Sequence, residues 1–226
     1  MIKAPQGKQQ KQYAPQPNME PGTYPGRVAQ VIDFGLQPQR PYKGQEKPPA
    51  HIVGITYELV DCFLVDEQGK ELEDKPRWIS EDFPLYAITN EKARSTQRYL
   101  ALDPTNQFDG DFSQVVDRPV NVLVVNNKGK DGRVYDNVGS ISPMRPRNAA
   151  NCAPLKNPPV VFSLDEPNLE VFNKFPKWIQ EKIVGYLNYK GSKLDKLRGN
   201  VPQEPAKQEQ PGPNPFVEDD DQDRPY

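Results

Sequence analysis

Histidine and cysteine are nearly missing: one His and two Cys in 226 residues. Cys62 and Cys152 form no CxxC pair and no disulfide framework. Together with His51 they fall short of the four ligands a structural zinc site takes. Both thiols are expected to be reduced and structural, and neither a metal nor another cofactor is expected. No run approaches the roughly 18 apolar residues of a membrane span, so no transmembrane helix and no membrane partner is expected. Met1–Gly22 lacks an apolar stretch of the secretory kind, so no export signal is expected. Apolar residues themselves are scarce, at 35%. Counting glycine the fraction reaches about 42%, below the roughly 45–50% of an average globular chain. Phosphate-loop, GxSxG and HExxH motifs are absent. A Ser-His-Asp triad would rest on His51 alone, at a strand start beside Pro49 and Ala50. Asp66 with Glu73, Asp74 and Lys75 superficially resembles a metal-dependent nuclease set, but the segment reads as one hydrated turn. No enzyme is expected.

Proline is abundant instead. The chain has 26, about 11.5%, more than twice the usual proportion of about 5%. Charge is uneven although the net is −2. Residues 1–27 carry +3, 28–117 carry −7, 118–200 carry +7 and 201–226 carry −5. A basic C-terminal half followed by an acidic tail is the informative feature. Such a tail can lie on its own basic surface and be displaced by a stronger polyanion.

Residues 1–22 are rich in Gln, Pro and Lys and are expected to be a disordered arm, because they cannot bury enough apolar surface to offset ordering entropy. Residues 200–226 hold six prolines and the acidic cluster and read the same way. Between them, Tyr24–Phe34, His51–Val65 and Pro76–Phe83 read as three strands, with a long Pro-rich loop over Gly35–Ala50. Asn90–Leu102 reads as a helix with Asn90 or Thr89 as N-cap and an apolar face of Ala93, Gln97, Leu100 and Ala101. Pro119–Val125 and Arg133–Ile141 read as two strands joined by the hairpin Asn126–Gly132. Three strands, a helix and two strands is the order of an OB-fold, a five-stranded Greek-key barrel; another small β-barrel with a helical insert is the alternative. The fold class is thus an all-β core, α+β overall, over 23–142. Over 143–199, a Pro-rich linker leads to a helical extension. One helix starts near Leu164, capped by Asp165, and breaks at Pro176. A second, Lys177–Lys190, carries an Ile179, Ile183, Leu187 stripe and ends at Gly191.

An OB-fold binds ligands on strands two and three and on the loops joining strands one–two and four–five. Sequence-tolerant binding of single strands needs cations near phosphates and flat rings under unstacked bases. The first loop supplies Arg40, Tyr42, Lys43 and Lys47, a ring between cations. Strand three supplies Arg77 and Trp78 on opposite faces, with Trp78 expected on the polar, exposed face. The hairpin supplies Lys128, Lys130 and Arg133, and Tyr135 follows in phase with Asn137. Arg27 on strand one completes the set. Tyr57 reads as core.

Several blocks carry a family resemblance. PGTYPGRVAQVIDFGLQPQRPYKG, EKPP, TYELVD, DKPRWISE, SPMRP and DEPNLEVF…WIQEKI, in this order, resemble tailed-phage single-stranded DNA-binding proteins with a C-terminal helical extension. The ending PNPFVEDDDQDRPY is similar to the acidic, aromatic-tipped tails of replicative single-strand binders. The resemblance implies single-stranded DNA as ligand, phage replication and recombination as the setting, and the cytoplasm of the infected bacterium as the compartment. In the tail it implies Phe216, Glu218, Asp219, Asp220, Asp221, Asp223 and Tyr226 as the positions that compete for the DNA groove and recruit phage or host replication proteins. Arg224, Pro225 and the terminal Tyr depart from the usual tip. The rival class is a protein-interaction module whose acidic tail mimics DNA.

Overall fold

The computed structural model describes residues 16–41 and 43–199. Its organising element is one long strand, β1 (Gly22–Gln37), rich in the β-branched residues that fit a pleated surface. On one edge β1 pairs antiparallel with β2 (Ala50–Val65), from Gly26 opposite Leu59 to Gln37 opposite Ala50. β2 continues to β3 (Glu71–Pro84). On the other edge the first half of β1 pairs antiparallel with β4 (Pro119–Lys128), which carries β5 (Val134–Pro143). The path is β3-β2-β1-β4-β5. β4 reaches only as far as Arg27; beyond it a short strand, β6 (Val160–Phe162), runs parallel to Gln30–Ile32. The fold is α+β, dominated by an antiparallel sheet.

Two register shifts in β1 decide how this sheet is used. They fall between Val28 and Gln30 and between Asp33 and Gly35. An extra residue on one strand bends it and moves the following side chains to the other face. Val28 and Val31, three positions apart, therefore share one core. Ile32 and Phe34 enter another on the opposite side. Gly35 has φ +72°, and a Cβ there would lie 2.7 Å from Leu164, so only glycine fits this bend.

The first core combines Val28 and Val31 with Val53, Ile55, Tyr57 and Leu59 of β2 and Val120, Val122 and Val124 of β4. Helix α1 (Arg94–Leu102) covers it with Tyr99 and Leu102, and Phe112 of a short 3₁₀ turn adds an edge contact to Tyr99 at 5.2 Å. The second core packs Ile32 and Phe34 against the extension. That extension comprises α2 (Pro146–Asn151), β6, α3 (Leu169–Lys174), α4 (Lys177–Val184) and α5 (Lys193–Gly199). Phe162, Phe172, Phe175, Ile179, Ile183 and Leu194 are its buried members. The C-terminal segment is thus a second layer on the outside of the sheet.

Several elements differ from the sequence reading. α1 begins at Arg94, with Ala93 in the cap position and no side-chain cap. Its buried face is Ser95, Thr96, Arg98, Tyr99, Ala101 and Leu102, while Gln97 is exposed. Ala93 and Ala101 of the expected face are buried and Leu100 packs against the core, but the face also takes in Arg98, whose partner Glu81 is buried. α3 is capped by Asn168 rather than Asp165: its side chain accepts from the N–H groups of Glu170 and Val171. α4 ends at Val184, where Gly185 turns the chain, so Leu187 leaves the expected stripe and is 52% exposed. α5, α2 and β6 went unread, since short elements in Pro-rich sequence carry little periodic signal.

Residues 16–21, placed by the sequence in a disordered arm, are docked. The Gln16 side chain exchanges two hydrogen bonds with the backbone of Val65, and Met19 is buried in the first core. This segment lies against the end of β2 at Val65, Arg77 of β3 and the start of β5. There Asp136 accepts from Asn18, from the Met19 N–H, from Asn126 and from Arg77.

Candidate nucleic-acid interface

The face of β2 and β3 expected to meet a ligand carries Gly54, Thr56 and Glu58 opposite Asp82, Ser80 and Trp78. The chain's own extension lies on much of it. Glu58 is 1% exposed and accepts three hydrogen bonds: from Trp78 Nε1 at 2.9 Å, from the Lys156 N–H at 2.6 Å and from Asn157 Nδ2 at 2.7 Å. Thr56 and Ser80 share a buried hydroxyl–hydroxyl bond of 2.8 Å. Asp82 is paired with Lys182 of α4, whose ammonium also lies 4.6 Å from the Phe34 ring centre. A buried carboxylate with three donors is a structural anchor, since an orphaned polar group there would cost about 1–3 kcal/mol.

Arg27 serves the same anchor. It lies directly opposite Glu58 in the register. Its guanidinium donates to the carbonyls of Ala153, Asp117 and Cys152 at 2.8, 2.7 and 3.0 Å. Its side chain is 16% exposed. The structure therefore places Arg27 as a clamp on the linker. Trp78 sits at the rim of the closed face, 37% exposed, with its N–H committed to Glu58. Arg77 points the other way and is spent on the Pro17 carbonyl at 2.7 Å and Asp136 at 3.5 Å.

The hairpin keeps its cations outward. Lys128, Lys130 and Arg133 are all exposed. Gly132, at φ +80°, lets the turn close through its N–H to the Gly129 carbonyl. Tyr135 braces it: the hydroxyl donates to Asp131 at 2.6 Å, and its ring lies where a Cβ on Gly129 would stand. That hydrogen bond holds the Asp131 carboxyl below its usual range and raises the Tyr135 phenol. In the first loop Arg40 and Lys43 are exposed and Lys47 half-buried, and Gln39 closes the neck by donating to the Pro48 carbonyl at 2.7 Å. Tyr42 and the tail positions Phe216, Glu218–Asp221, Asp223 and Tyr226 lie outside the described residues.

The two cationic loops leave opposite ends of β1: the register puts the hairpin beyond its Gly22 end and the first loop beyond its Gln37 end. The sequence reading missed two residues here. Glu58, an acidic residue in an apolar strand, was visible as an anomaly. Tyr86, just past β3, is 49% exposed and carried no periodic signal.

His51 is the only titratable imidazole and lies at the first-loop end. Its Nε2 is 2.5 Å from Asp33 Oδ1. That hydrogen bond raises its pKa above 6.5, partial burial opposes the shift, and the charges of Asp33 and Asp165 reinforce it. The pair's contribution to stability is therefore full below pH 6.5 and is lost as pH rises through the folded-state value. We expect the imidazole C–H resonances of the one histidine to titrate with a midpoint above 6.5. Asp33→Asn should bring it back toward that value; an unshifted midpoint in the parent protein would overturn this.

Among the described residues, no group of three or more His, Cys, Asp or Glu side chains is placed to hold a metal, and no helix is long and apolar enough to cross a membrane. No protein-family model matches this chain, and no curated protein matches it.

Proposed function

We propose that this chain is a non-enzymatic OB-fold protein that binds single-stranded DNA without sequence preference during phage replication and recombination. The observation that carries the reading is the strand path β3-β2-β1-β4-β5 with α1 between β3 and β4 in sequence, which is the OB order of elements. Closure of β3 onto β5 as a barrel belongs to the same proposal. It is supported by the Arg77–Asp136 pair and by Arg98, which reaches from α1 to Glu81 of β3 and the Gly139 carbonyl of β5. The exposed cations of the two loops supply phosphate contacts, and one such unit would cover about 4–16 nucleotides. Since the extension closes much of the β2–β3 face, the strand would pass over the loops and the sheet rim. The acidic tail, by its charge, would compete for those cations in free protein. Once displaced it would recruit replication proteins of phage or host, in the cytoplasm of the infected bacterium.

The test is a titration of the 226-residue protein, and of a version ending at Asn214, with fluorescent oligothymidine and with an equal-length duplex at two salt concentrations. We expect preference for the single strand, a log–log salt slope of about −0.7 per phosphate contact, and tighter binding after truncation. Equal affinity of both versions would remove the tail's competition and leave the binding role standing. No salt-sensitive preference for single strands would overturn the reading in favour of a protein-interaction module.

A further inference from the structure

The extension closes much of the β2–β3 face, but the other half of the sheet keeps an outer face of its own. Side chains alternate along a strand. Val120, Val122 and Val124 of β4 enter the first core, so Asn121, Leu123 and Val125 face outward. In the register Leu123 stands between Thr23 of β1 and Ser140 of β5, and Asn121 between Pro25 and Ser142. Thr23, Ser140 and Ser142 are exposed, while Leu123 and Val125 are half-buried and belong to neither core. A Cβ on Gly139 would stand 2.9 Å from Val125 Cγ1 and 3.5 Å from Leu123 Cδ2, so both side chains lie across the backbone of β5. The result is a low, half-apolar strip.

Both ends of the strip are basic. At one end is the hairpin, with Lys128 and Arg133 exposed. At the other the last β4–β5 pair is Val120 with Pro143, and two residues beyond it on the two strands stand Arg118 and Arg145. Arg147 follows in the first turn of α2. That helix is tethered on both sides. The Pro143 carbonyl accepts from Asn121 Nδ2 at 3.2 Å, and the Cys152 and Ala153 carbonyls accept from Arg27. Yet none of its residues is buried, so packing does not account for its place. Arg145 and Arg147 are exposed, and Arg118 is half-buried with its guanidinium 5.1 Å from the Phe108 ring centre. Among the described residues no carboxylate pairs with Arg118, Arg145 or Arg147. Asp117, next in sequence, is paired with Arg27 at 3.2 Å.

The charge of the whole segment is one-sided. Residues 118–164 hold seven Lys and Arg against two acids, Asp131 and Asp136. Asp131 is engaged by the Tyr135 hydroxyl, and Asp136 by Asn18, Met19 and Arg77. Cations gathered without counter-charges favour a polyanion, which releases its counterions on binding. The half-apolar strip between them offers contact to unstacked bases, which a duplex keeps inside its stack.

We infer that a single strand of nucleic acid runs along the outer face of β4 and β5, its phosphates on Lys128 and Arg133 at one end and on Arg118, Arg145 and Arg147 at the other. This rests on the single-strand-binding reading above and gives the strand its course. The experiment titrates full-length protein with fluorescent oligothymidine across a salt series. It compares wild type, the pair Arg145→Gln with Arg147→Gln, Ser140→Glu, and a control pair, Lys174→Gln with Lys177→Gln. The control removes the same charge from exposed positions on α3 and α4. The arginine pair should bind more weakly at low salt, and its log–log salt slope should be shallower by about 1.4, at about 0.7 for each of two phosphate contacts. Ser140→Glu puts a negative charge in the middle of the strip and should weaken binding at low salt as well. The control pair should keep the wild-type slope. All the substituted side chains are exposed, so unfolding temperatures should match wild type. An unchanged slope in the arginine pair, or an equal loss in the control pair, would overturn this inference and leave single-strand binding intact. Absence of salt-sensitive single-strand binding by the wild type would overturn both.

Discussion

Arg98→Met should destabilise the protein by about 3–5 kcal/mol, the cost of leaving one member of a buried ion pair alone. The Arg98 side chain is 6% exposed and that of Glu81 4%. Two parallel bonds join them, Nε to Oε1 at 2.7 Å and Nη2 to Oε2 at 2.9 Å. Tyr57 donates its hydroxyl to the same carboxylate at 3.0 Å, and burial raises that phenol's pKa well above its ordinary value. Without the guanidinium, Glu81 keeps only the Tyr57 donor in an apolar surrounding. Urea unfolding at neutral pH reads this loss. A triple replacement, Arg98→Met with Glu81→Leu and Tyr57→Phe, should recover much of the loss, because matched apolar groups often substitute for a buried pair at little cost. A single variant within about 1 kcal/mol of wild type would mean the pair is solvated in solution.

Phe162→Ala should cost a similar amount, about 3–5 kcal/mol, through lost transfer energy and the cavity left behind. The residue is 2% exposed. Its ring meets Phe175 edge-on at 5.5 Å and Phe172 at 6.1 Å, and its backbone pairs with Ile32 of β1. These contacts tie the extension to the sheet. β1 contributes to both cores, with Val28 and Val31 on one side and Ile32 and Phe34 on the other. We therefore expect the variant to unfold in one cooperative transition at lower denaturant, monitored by far-UV circular dichroism and by tryptophan fluorescence. The two tryptophans report separately placed regions, Trp78 on β3 and Trp178 on α4. Two separated transitions would show instead that the extension is an independent layer.

The strands were legible because their signals are local. Runs of Val, Ile and Tyr between turn residues mark β2 and β4, and the Asn126–Gly132 run marks the hairpin. Tyr57 reads as core from its alternation with Val53, Ile55 and Leu59, and all four are buried. The buried side of α1 was legible only in part: Ala93 and Ala101 are buried as expected, whereas Gln97 is exposed and Arg98 is buried. A hydrophobic pattern treats arginine as solvent-facing, and only the position of Glu81 on β3 makes Arg98 a core residue. The candidate site was half legible for the same reason. Lys128, Lys130 and Arg133 are exposed as their hairpin composition suggests. Arg27, Arg77 and Tyr135 look equally available in the sequence, yet each is held by a partner distant in the chain or folded back across a turn.

The sequence by itself determined the alternation of strands, the Pro-rich connections, the positions of the cationic loops and the charge contrast between body and tail. Each depends on composition and spacing within a few residues. The tertiary structure alone decided that Arg27 and Arg77 are held by partners within the fold and which face of the sheet is closed. Those outcomes follow from two bulges in β1, which direct Ile32 and Phe34 outward and bring a segment more than a hundred residues downstream onto that face. Side chains separated that far in sequence share a surface only after the backbone has bent, and no local pattern encodes the angle of the bend.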